Sequence, residues 1–284
     1  MSYQFTKHEP VAEGARRIVC EEVAAAMERL QAKTVRERDE AIHEVRKAVK
    51  RVRGLLKLMR PVLGDAYEKE AKEWRDLGRR LSALRDAGAM VGAFDELRGQ
   101  CSPRLYGAIR RRLLGDRRAM SGDVSGTMAT VAAGLKRAEK RLKSWQIEGE
   151  GFGAIAPGLE QTYRNGWRAL RTARRDPTPE NLHELRKRTK EHLFQLRLLE
   201  VLWDGKLQRH EARVKRLDEI LGSHQNLAVL RTKILEQPED VEKFLSVVDR
   251  IESGLAKEAL ELGEQVYEEP ASRITKRVKH LWQH

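Results

Sequence analysis

The eight-residue pattern His-Glu-x-Arg-Lys-x-x-Lys occurs twice in this sequence, at residues 43–50 and 183–190. The two copies lie 140 positions apart in a chain of 284 residues. Aligned at that offset without a gap, the stretches 43–60 and 183–200 share seven identical residues, where chance gives roughly one. Because this period is far longer than a solenoid repeat, the sequence predicts a duplication, with two similar units related by an approximate two-fold axis.

The residue usage favours helix throughout. The chain is rich in Ala, Leu, Arg, Lys and Glu and poor in aromatic residues, and no long stretch alternates apolar and polar residues as a half-buried strand does. We therefore predict an all-α fold made of two helical bundles. Helices are expected over 10–33, 37–60, 65–98, 103–118 and 124–146 in the first unit, and over 158–175, 179–203, 206–235, 238–264 and 270–282 in the second.

The join between the two units is predicted at 148–158, where four glycines and a proline interrupt the helical periodicity. The whole chain is then one domain, with a first repeat over 1–147 and a second over 159–284. Near the start of the second motif, Thr178 followed by Pro179 is typical of a helix start, with Thr as the cap and Pro in the first turn.

On a helix, the basic residues of each motif fall within roughly one third of the circumference, and in the first copy the opposite face is apolar. The first cationic stripe comprises His43, Arg46, Lys47, Lys50 and Lys57, flanked by Arg53, and the second comprises His183, Arg186, Lys187, Lys190 and Arg197. The apolar stripe opposite the first comprises Ile42, Val45, Val49, Val52, Leu56 and Met59.

A basic helix face is most often merely solvated. Such a face usually places an acid four residues from each base, however, and the centre of this stripe contains no acid. Like charges at that spacing repel one another, so we expect a bound anion to compensate for the cost in both units.

The two motif histidines have two open interpretations. A neutral imidazole among lysines and arginines can gain a proton and become an extra donor when a phosphate binds, which makes His43 and His183 candidate ligand contacts. Each can equally be a structural residue bonded to a carbonyl or to an acid such as Asp86. Metal binding is disfavoured, since no second histidine follows at metalloprotease spacing and the flanking cations oppose a divalent ion.

Further basic clusters occupy equivalent places near the ends of the two units. We expect them to extend the stripes into a continuous basic lining: Arg137, Lys140 and Arg141 in the first unit, and Arg273, Lys276 and Arg277 in the second.

The net charge of the chain indicates which class of molecule it binds. With 56 Lys plus Arg against 43 Asp plus Glu, the net charge of +13 indicates a polyanion, whether nucleic acid, an acidic membrane surface or a phosphate polymer. No stretch is apolar enough to span a bilayer and residues 1–10 lack the features of a secretory signal, so we expect a cytoplasmic protein.

The sequence also argues against an enzyme. Cys20 and Cys101 stand alone, so neither a disulfide nor a metal site is expected. The sequence contains no phosphate loop, no nucleophile elbow and no carboxylate cluster suited to two metal ions. We therefore predict binding without catalysis and without a cofactor.

The duplicated motif resembles that of the conserved histidine α-helical domain, or CHAD, family. The resemblance rests on His-x-x-Arg-Lys-x-x-Lys in duplicate and on residues 81–86, Leu-Ser-Ala-Leu-Arg-Asp, which are similar to that family's Leu-Gly-x-x-Arg-Asp element. It covers nearly the whole chain. It implies two bundles with pseudo-two-fold symmetry around a basic groove or cavity, and binding of inorganic polyphosphate by the motif residues named above.

The second unit departs from the family pattern, because Gln225 and Asn226 stand where the first has Arg85 and Asp86. Family members are often joined to a triphosphate-hydrolysing tunnel domain with a Glu-x-Glu-x-Lys signature, which this sequence lacks, so it resembles a stand-alone binding module. Targeting to intracellular polyphosphate granules is a further implication of the resemblance.

Two other functions stay open. The same basic faces could bind the backbone of RNA or DNA, although few aromatic residues accompany them for base stacking. A polyphosphate-cleaving enzyme is the least favoured alternative. No protein partner is indicated.

Overall fold

The computed structural model describes residues 3–6, 9–31, 34–120, 124–235 and 241–283, with side chains described at all of these except 35, 36, 83–89 and 117–120. These ranges form ten α-helices and two short 3-10 turns, and no strand occurs in them. The helices are α1 (Val11–Arg29), α2 (Val35–Leu63), α3 (Ala66–Asp95), α4 (Pro103–Met120), α5 (Val124–Arg141), α6 (Gly151–Arg175), α7 (Pro179–Leu198), α8 (Gly205–Leu235), α9 (Glu242–Val266) and α10 (Ala271–Gln283).

The predicted all-α fold class is confirmed. Most helix ends lie within a few residues of the sequence prediction, because apolar periodicity and capping residues determine them locally. Thr178 caps α7 as predicted, since its hydroxyl accepts a hydrogen bond from the Asn181 N–H at 3.2 Å, and Pro179 follows in the first turn. No described helix is both long and apolar enough to cross a membrane.

The predicted start of α6 at residue 158 was wrong. The helix begins at Gly151, so most of the glycine-rich stretch is helical and the non-helical join is confined to 145–150. Burial explains the difference, because Phe152 and Ile155 enter the core within this first part of the helix. Tertiary packing there outweighs the low helix propensity of glycine.

The helices of the two halves correspond in order. We call α1–α5 the first half and α6–α10 the second half. Adding 140 to the bounds of α3 gives 206–235, against Gly205–Leu235 for α8, and α1, α2, α4 and α5 match α6, α7, α9 and α10 in the same order. This agreement supports the predicted duplication, which stays a prediction together with its two-fold axis.

The hydrophobic core is shared between the halves. One cluster joins the apolar faces of α1, α2, α3 and α5 to the start of α6 and the end of α7, and another joins the ends of α3 and α8 to α4 and α9. The apolar stripe predicted for α2 lies in the first cluster, with every member at most 3% exposed. Gly158 brings α6 against the backbone of α2, where a Cβ would lie 2.0 Å from the Leu58 carbonyl oxygen.

The second half contains a polar cluster inside its own core. The rings of His192 and His210 meet with their Nε2 atoms 2.9 Å apart, and both residues are buried. Tyr163 lies edge-on to His192. At the equivalent positions, 140 residues earlier, the first half has Val52 and Glu70.

Candidate functional site

The first motif lies on the half of α2 that precedes its contact with the second half. Thr34 and Glu37 form a reciprocal capping box that fixes where the helix starts. With Val45 and Val49 buried beneath, the cations face away from the core. They are oriented by local contacts, because Arg46 donates from Nη1 to the Leu81 carbonyl oxygen of α3 at 3.1 Å.

The second motif, on α7, repeats this orientation against α8. Arg186 reaches across to α8, where Gly222 leaves room for its guanidinium. Lys190 Nζ lies 2.9 Å from a carboxylate oxygen of Asp218, and Arg186 Nε lies 3.9 Å from the same carboxylate. The equivalent position in α3 is Gly78, so α3 places no carboxylate at that position.

The two motif helices cross at equivalent positions. A Cβ on Gly54 would lie 2.7 Å from Cβ of Phe194, and these two residues are 140 apart. Just beyond the crossing, Lys57 Nζ of α2 lies 2.9 Å from a carboxylate oxygen of Glu191 on α7. The C-terminal part of the first cationic stripe therefore lies against the second half.

Arg53 lies in the same region among further cations. Burial in the surrounding protein lowers its pKa most, Arg75 and Arg79 of α3 lower it further, and Glu191 raises it. Arg75 and Arg79 are both exposed. These two arginines were not predicted from the sequence, although their four-residue spacing on one helix face was a usable signal.

The later basic positions of the two stripes are both in ion pairs. Lys57 pairs with Glu191, and Arg197 pairs with Glu211 of α8 at 3.2 Å. No acid was predicted at the centre of the first stripe from its own helix, but the fold brings Glu191 of α7 to Lys57, and it brings Asp218 of α8 to Lys190 in the second stripe. Part of the charge repulsion is thus relieved inside the protein.

The first lysine of each motif, four residues after the histidine, also has an acidic neighbour. Lys47 lies 3.2 Å from Glu44, and Lys187 is paired in the same way with Glu184 one turn earlier. Both pairs leave about half of the lysine side chain exposed, at 41% and 52%, and Glu184 also pairs with Arg188. Exposed pairs of this kind are weak, at about 0.3–0.5 kcal/mol, so a polyanion can displace them.

Both motif histidines lie at the surface. The side chain of His43 is 41% exposed, and its Nε2 lies 3.8 Å from Glu44. His183 is exposed, and its pKa is lowered by partial burial and then by Lys187 and Arg186, while a hydrogen bond with Gln225 opposes the shift. The residue that departs from the family pattern thus contacts the second histidine. The side chain of Asp86 lies outside the described part of the chain.

The basic clusters predicted to extend the stripes lie on other helices. Arg141 of α5 makes a bidentate pair with Glu70, at 2.7 and 3.0 Å, and Glu70 is only 3% exposed. Arg277 of α10 pairs with Glu269 at 3.0 Å. The remaining members of both clusters are exposed on α5 and α10: Arg137, Lys140, Arg273 and Lys276. Their contribution to a continuous lining stays a prediction.

The described side chains include no group of three or more His, Cys, Asp or Glu residues placed to hold a metal ion. What the arrangement offers chemically is a set of fixed N–H donors with positive charge. Guanidinium forks bind phosphate oxygens in a bidentate manner, and lysines neutralise them as point charges.

Comparison with known proteins identifies the family of this chain. A family model described as CHAD domain matches residues 19–235. A search of curated proteins gives no significant match. Among solved structures, the chain is similar to the crystal structure of the CHAD domain from the plant Ricinus communis, with 18% identity and a TM-score of 0.53 over 91% of this chain and 89% of that one. At that identity the likeness concerns the fold alone, but the family model covers most of the chain, and the protein therefore belongs to the CHAD domain family.

Proposed function

We propose that this protein binds inorganic polyphosphate through the cationic stripes of α2 and α7. CHAD domains in general are associated with polyphosphate binding. The observation that supports this function most directly is that equivalent helices carry the same cationic motif and cross at Gly54 and Phe194. One flexible chain of phosphates can then contact both motifs.

The driving force in this proposal is electrostatic. A phosphate chain that is neutralised by lysines and arginines releases its condensed counterions, so affinity falls steeply with salt concentration, as it does for single-stranded nucleic acids. Arg46 and Arg186 are oriented by contacts with α3 and α8, which reduces the entropy lost when they bind. We further propose that the protein acts by binding, without catalysis, and that it associates with polyphosphate granules.

Titration calorimetry with polyphosphates of defined length, at two salt concentrations, tests the function. We expect affinity to rise with chain length and to fall with salt. Unlabelled RNA serves as the competitor. If RNA displaces polyphosphate as well, per phosphate, as polyphosphate itself does, the stripes are a general polyanion surface and the proposal fails.

Catalysis is tested separately. Incubation with polyphosphate and Mg²⁺ or Mn²⁺, followed by a phosphate assay, is expected to show no release above the level of the buffer. Release that depends on the metal ion would identify an enzyme.

A further inference from the structure

The outer face of α6 carries a row of arginines that the duplicated motif does not explain. Arg164, Arg168, Arg171 and Arg175 follow one another at intervals of four, three and four residues, which places them within about 60° of the helix circumference. All four are exposed. We call these residues, together with Trp167, the α6 outer face.

Trp167 is unusually accessible for a tryptophan. Its side chain is 41% exposed, and the guanidinium carbon of Arg171 lies 4.9 Å from the centre of its ring. By contrast, Trp74 and Trp145 are at most 2% exposed. A large aromatic side chain left in water beside a row of positive charge is typical of a binding surface.

The arginines at the centre of this face have no acidic partner among the described residues. Acids occur only at its margins, where Arg164 pairs with Glu160 and Arg174 pairs with Glu264 of α9. Like charges three or four residues apart destabilise a helix. An anion bound along the row would relieve that repulsion.

The α6 outer face is confined to the second half. At the positions equivalent to Trp167, Arg168 and Arg171, α1 and the residues just after it have Met27, Glu28 and Gln31. The arginine row and Trp167 are therefore not part of the duplicated motif.

The combination of residues selects one class of ligand. Polyphosphate offers nothing for an indole ring to stack on. A membrane surface requires a broad apolar face, and Trp167 is the exposed large apolar side chain among the described residues of α6. Single-stranded nucleic acid supplies phosphates for the arginines and bases for the tryptophan. We propose that the α6 outer face binds single-stranded RNA or DNA.

The first experiment measures the affinity of the full-length protein for a fluorescein-labelled twelve-residue oligo(dT), by anisotropy. Trp167→Ala is expected to weaken binding about tenfold, which is within the range measured for the loss of one stacked base. Its affinity for polyphosphate should be unchanged. Trp167→Phe should recover most of the lost affinity, because a phenyl ring also stacks.

An oligomer of the same length that carries abasic sugars separates stacking from charge. We expect it to bind more weakly than oligo(dT) and to be insensitive to Trp167→Ala. If Trp167→Ala weakens both oligomers equally, the indole does not stack on bases and the proposal is wrong.

A charge-matched pair of variants controls for net charge. Arg168→Glu with Arg175→Glu reverses two charges seven residues apart on α6. Arg104→Glu with Arg111→Glu does the same on α4, where both arginines are also exposed and have no carboxylate partner among the described residues. We expect at least a tenfold loss for the α6 pair and less than a threefold loss for the α4 pair. Equal losses, or a wild-type protein that does not bind oligo(dT), would overturn the proposal.

Discussion

The two halves of the protein carry the same cationic motif in different electrostatic surroundings. In the second half Asp218 lies beside Lys190 and Arg186, whereas the first half has Gly78 at the equivalent position. Lys47 and Lys187 each pair with the glutamate one turn earlier, although Glu184 also pairs with Arg188. The motif is therefore repeated more faithfully than the residues around it, and in the second half Asp218 neutralises part of the charge of Lys190 and Arg186.

The two halves also differ in the polar groups that they bury at equivalent positions. Where the second half buries His192 against His210, the first half has Val52 and an ion pair of Glu70 with Arg141. Of these groups, only the histidines have an unfolded-state pKa near neutral pH, so only they make the free energy of unfolding depend on pH there. The two halves thus differ in the groups that surround the motif and in the groups that they bury. Four experiments test how these differences affect the free energy of unfolding and the affinity for polyphosphate.

The largest effect is expected where the second half packs directly on the first. Gly158→Ala would place a methyl group 2.0 Å from the Leu58 carbonyl oxygen, against backbone that cannot move without shifting α2. We expect the free energy of unfolding to fall by about 3 kcal/mol. Chemical denaturation followed by circular dichroism measures it.

Gly153→Ala is the matched control for this change. It lies on the same helix, and a methyl group added there would have no other atom within 4 Å beyond its own stretch of helix. Alanine there should be neutral or stabilising by up to about 1 kcal/mol. If the two variants are equally stable, α6 does not pack closely on α2 at Gly158.

Neutralising each motif compares the two halves as ligand sites. Replacing Arg46, Lys47 and Lys50 with glutamine removes three phosphate contacts, which should lower affinity for polyphosphate about 100-fold at ~0.1 M salt and reduce the salt slope by about 2. Calorimetry on the folded variant measures both quantities.

The same triple replacement at Arg186, Lys187 and Lys190 tests the second stripe, where Asp218 already neutralises part of the charge, and we expect affinity to fall at least tenfold. No loss in either variant would remove the stripes from the proposed site.

The buried histidine pair predicts a sensitivity to acid. Burial lowers the pKa of His192 well below 6.5 and, together with Arg277, lowers that of His210 to about 4. Both rings are thus neutral in the folded protein while the unfolded chain takes up protons from pH 6.5 downward. Stability is full above that pH and falls by up to about 1.4 kcal/mol per pH unit for each histidine as the pH approaches 4.

Urea denaturation at pH 7.5 and 5.5 measures this loss. Replacing His192 with Val and His210 with Leu should reduce the difference between the two pH values, whereas His280→Asn, at an exposed position, should leave it unchanged. A double variant that is as sensitive to acid as the wild type would show that other groups cause the loss.

The smallest expected effect is a gain of affinity. Asp218→Asn keeps the shape of the side chain but releases Lys190 and Arg186 from their carboxylate. We expect polyphosphate to bind about two- to threefold more tightly, in line with the modest worth of such pairs. Asp249→Asn, at a partly exposed acid on α9 that pairs with Arg231, is the control and should change affinity less. Unchanged or weaker binding by the Asp218 variant would show that Asp218 does not compete with the ligand for Lys190 and Arg186.

Much of this architecture was predictable from sequence because its determinants are local. The 3.6-residue periodicity of the apolar stripe predicted that Val45 and Val52 are buried, and Thr178 with Pro179 predicted the start of α7. The start of α6 was not predictable in this way, because glycine content argues against helix and only contact with α2 reverses that preference.

The acidic residues beside the cationic stripes were not predictable, because contacts between different helices bring them there. Asp218 lies 28 residues from Lys190 and reaches it only because α8 folds back along α7. No periodicity within one helix predicts that pairing. The exposure of Trp167 is a tertiary property as well, although the spacing of the neighbouring arginines was visible in the sequence.

The carboxylates of Glu191 and Asp218 have a consequence for ligand selectivity. A free orthophosphate ion arriving at Lys57 or Lys190 competes with an acid that is tethered at high local concentration and never diffuses away. A polyphosphate chain must displace the same carboxylates. Once its first phosphate is bound, however, the other phosphates are held nearby, so each later displacement is intramolecular. If the protein binds polyphosphate as proposed, this internal competition favours a polymer over small metabolite anions, without a pocket shaped to exclude them.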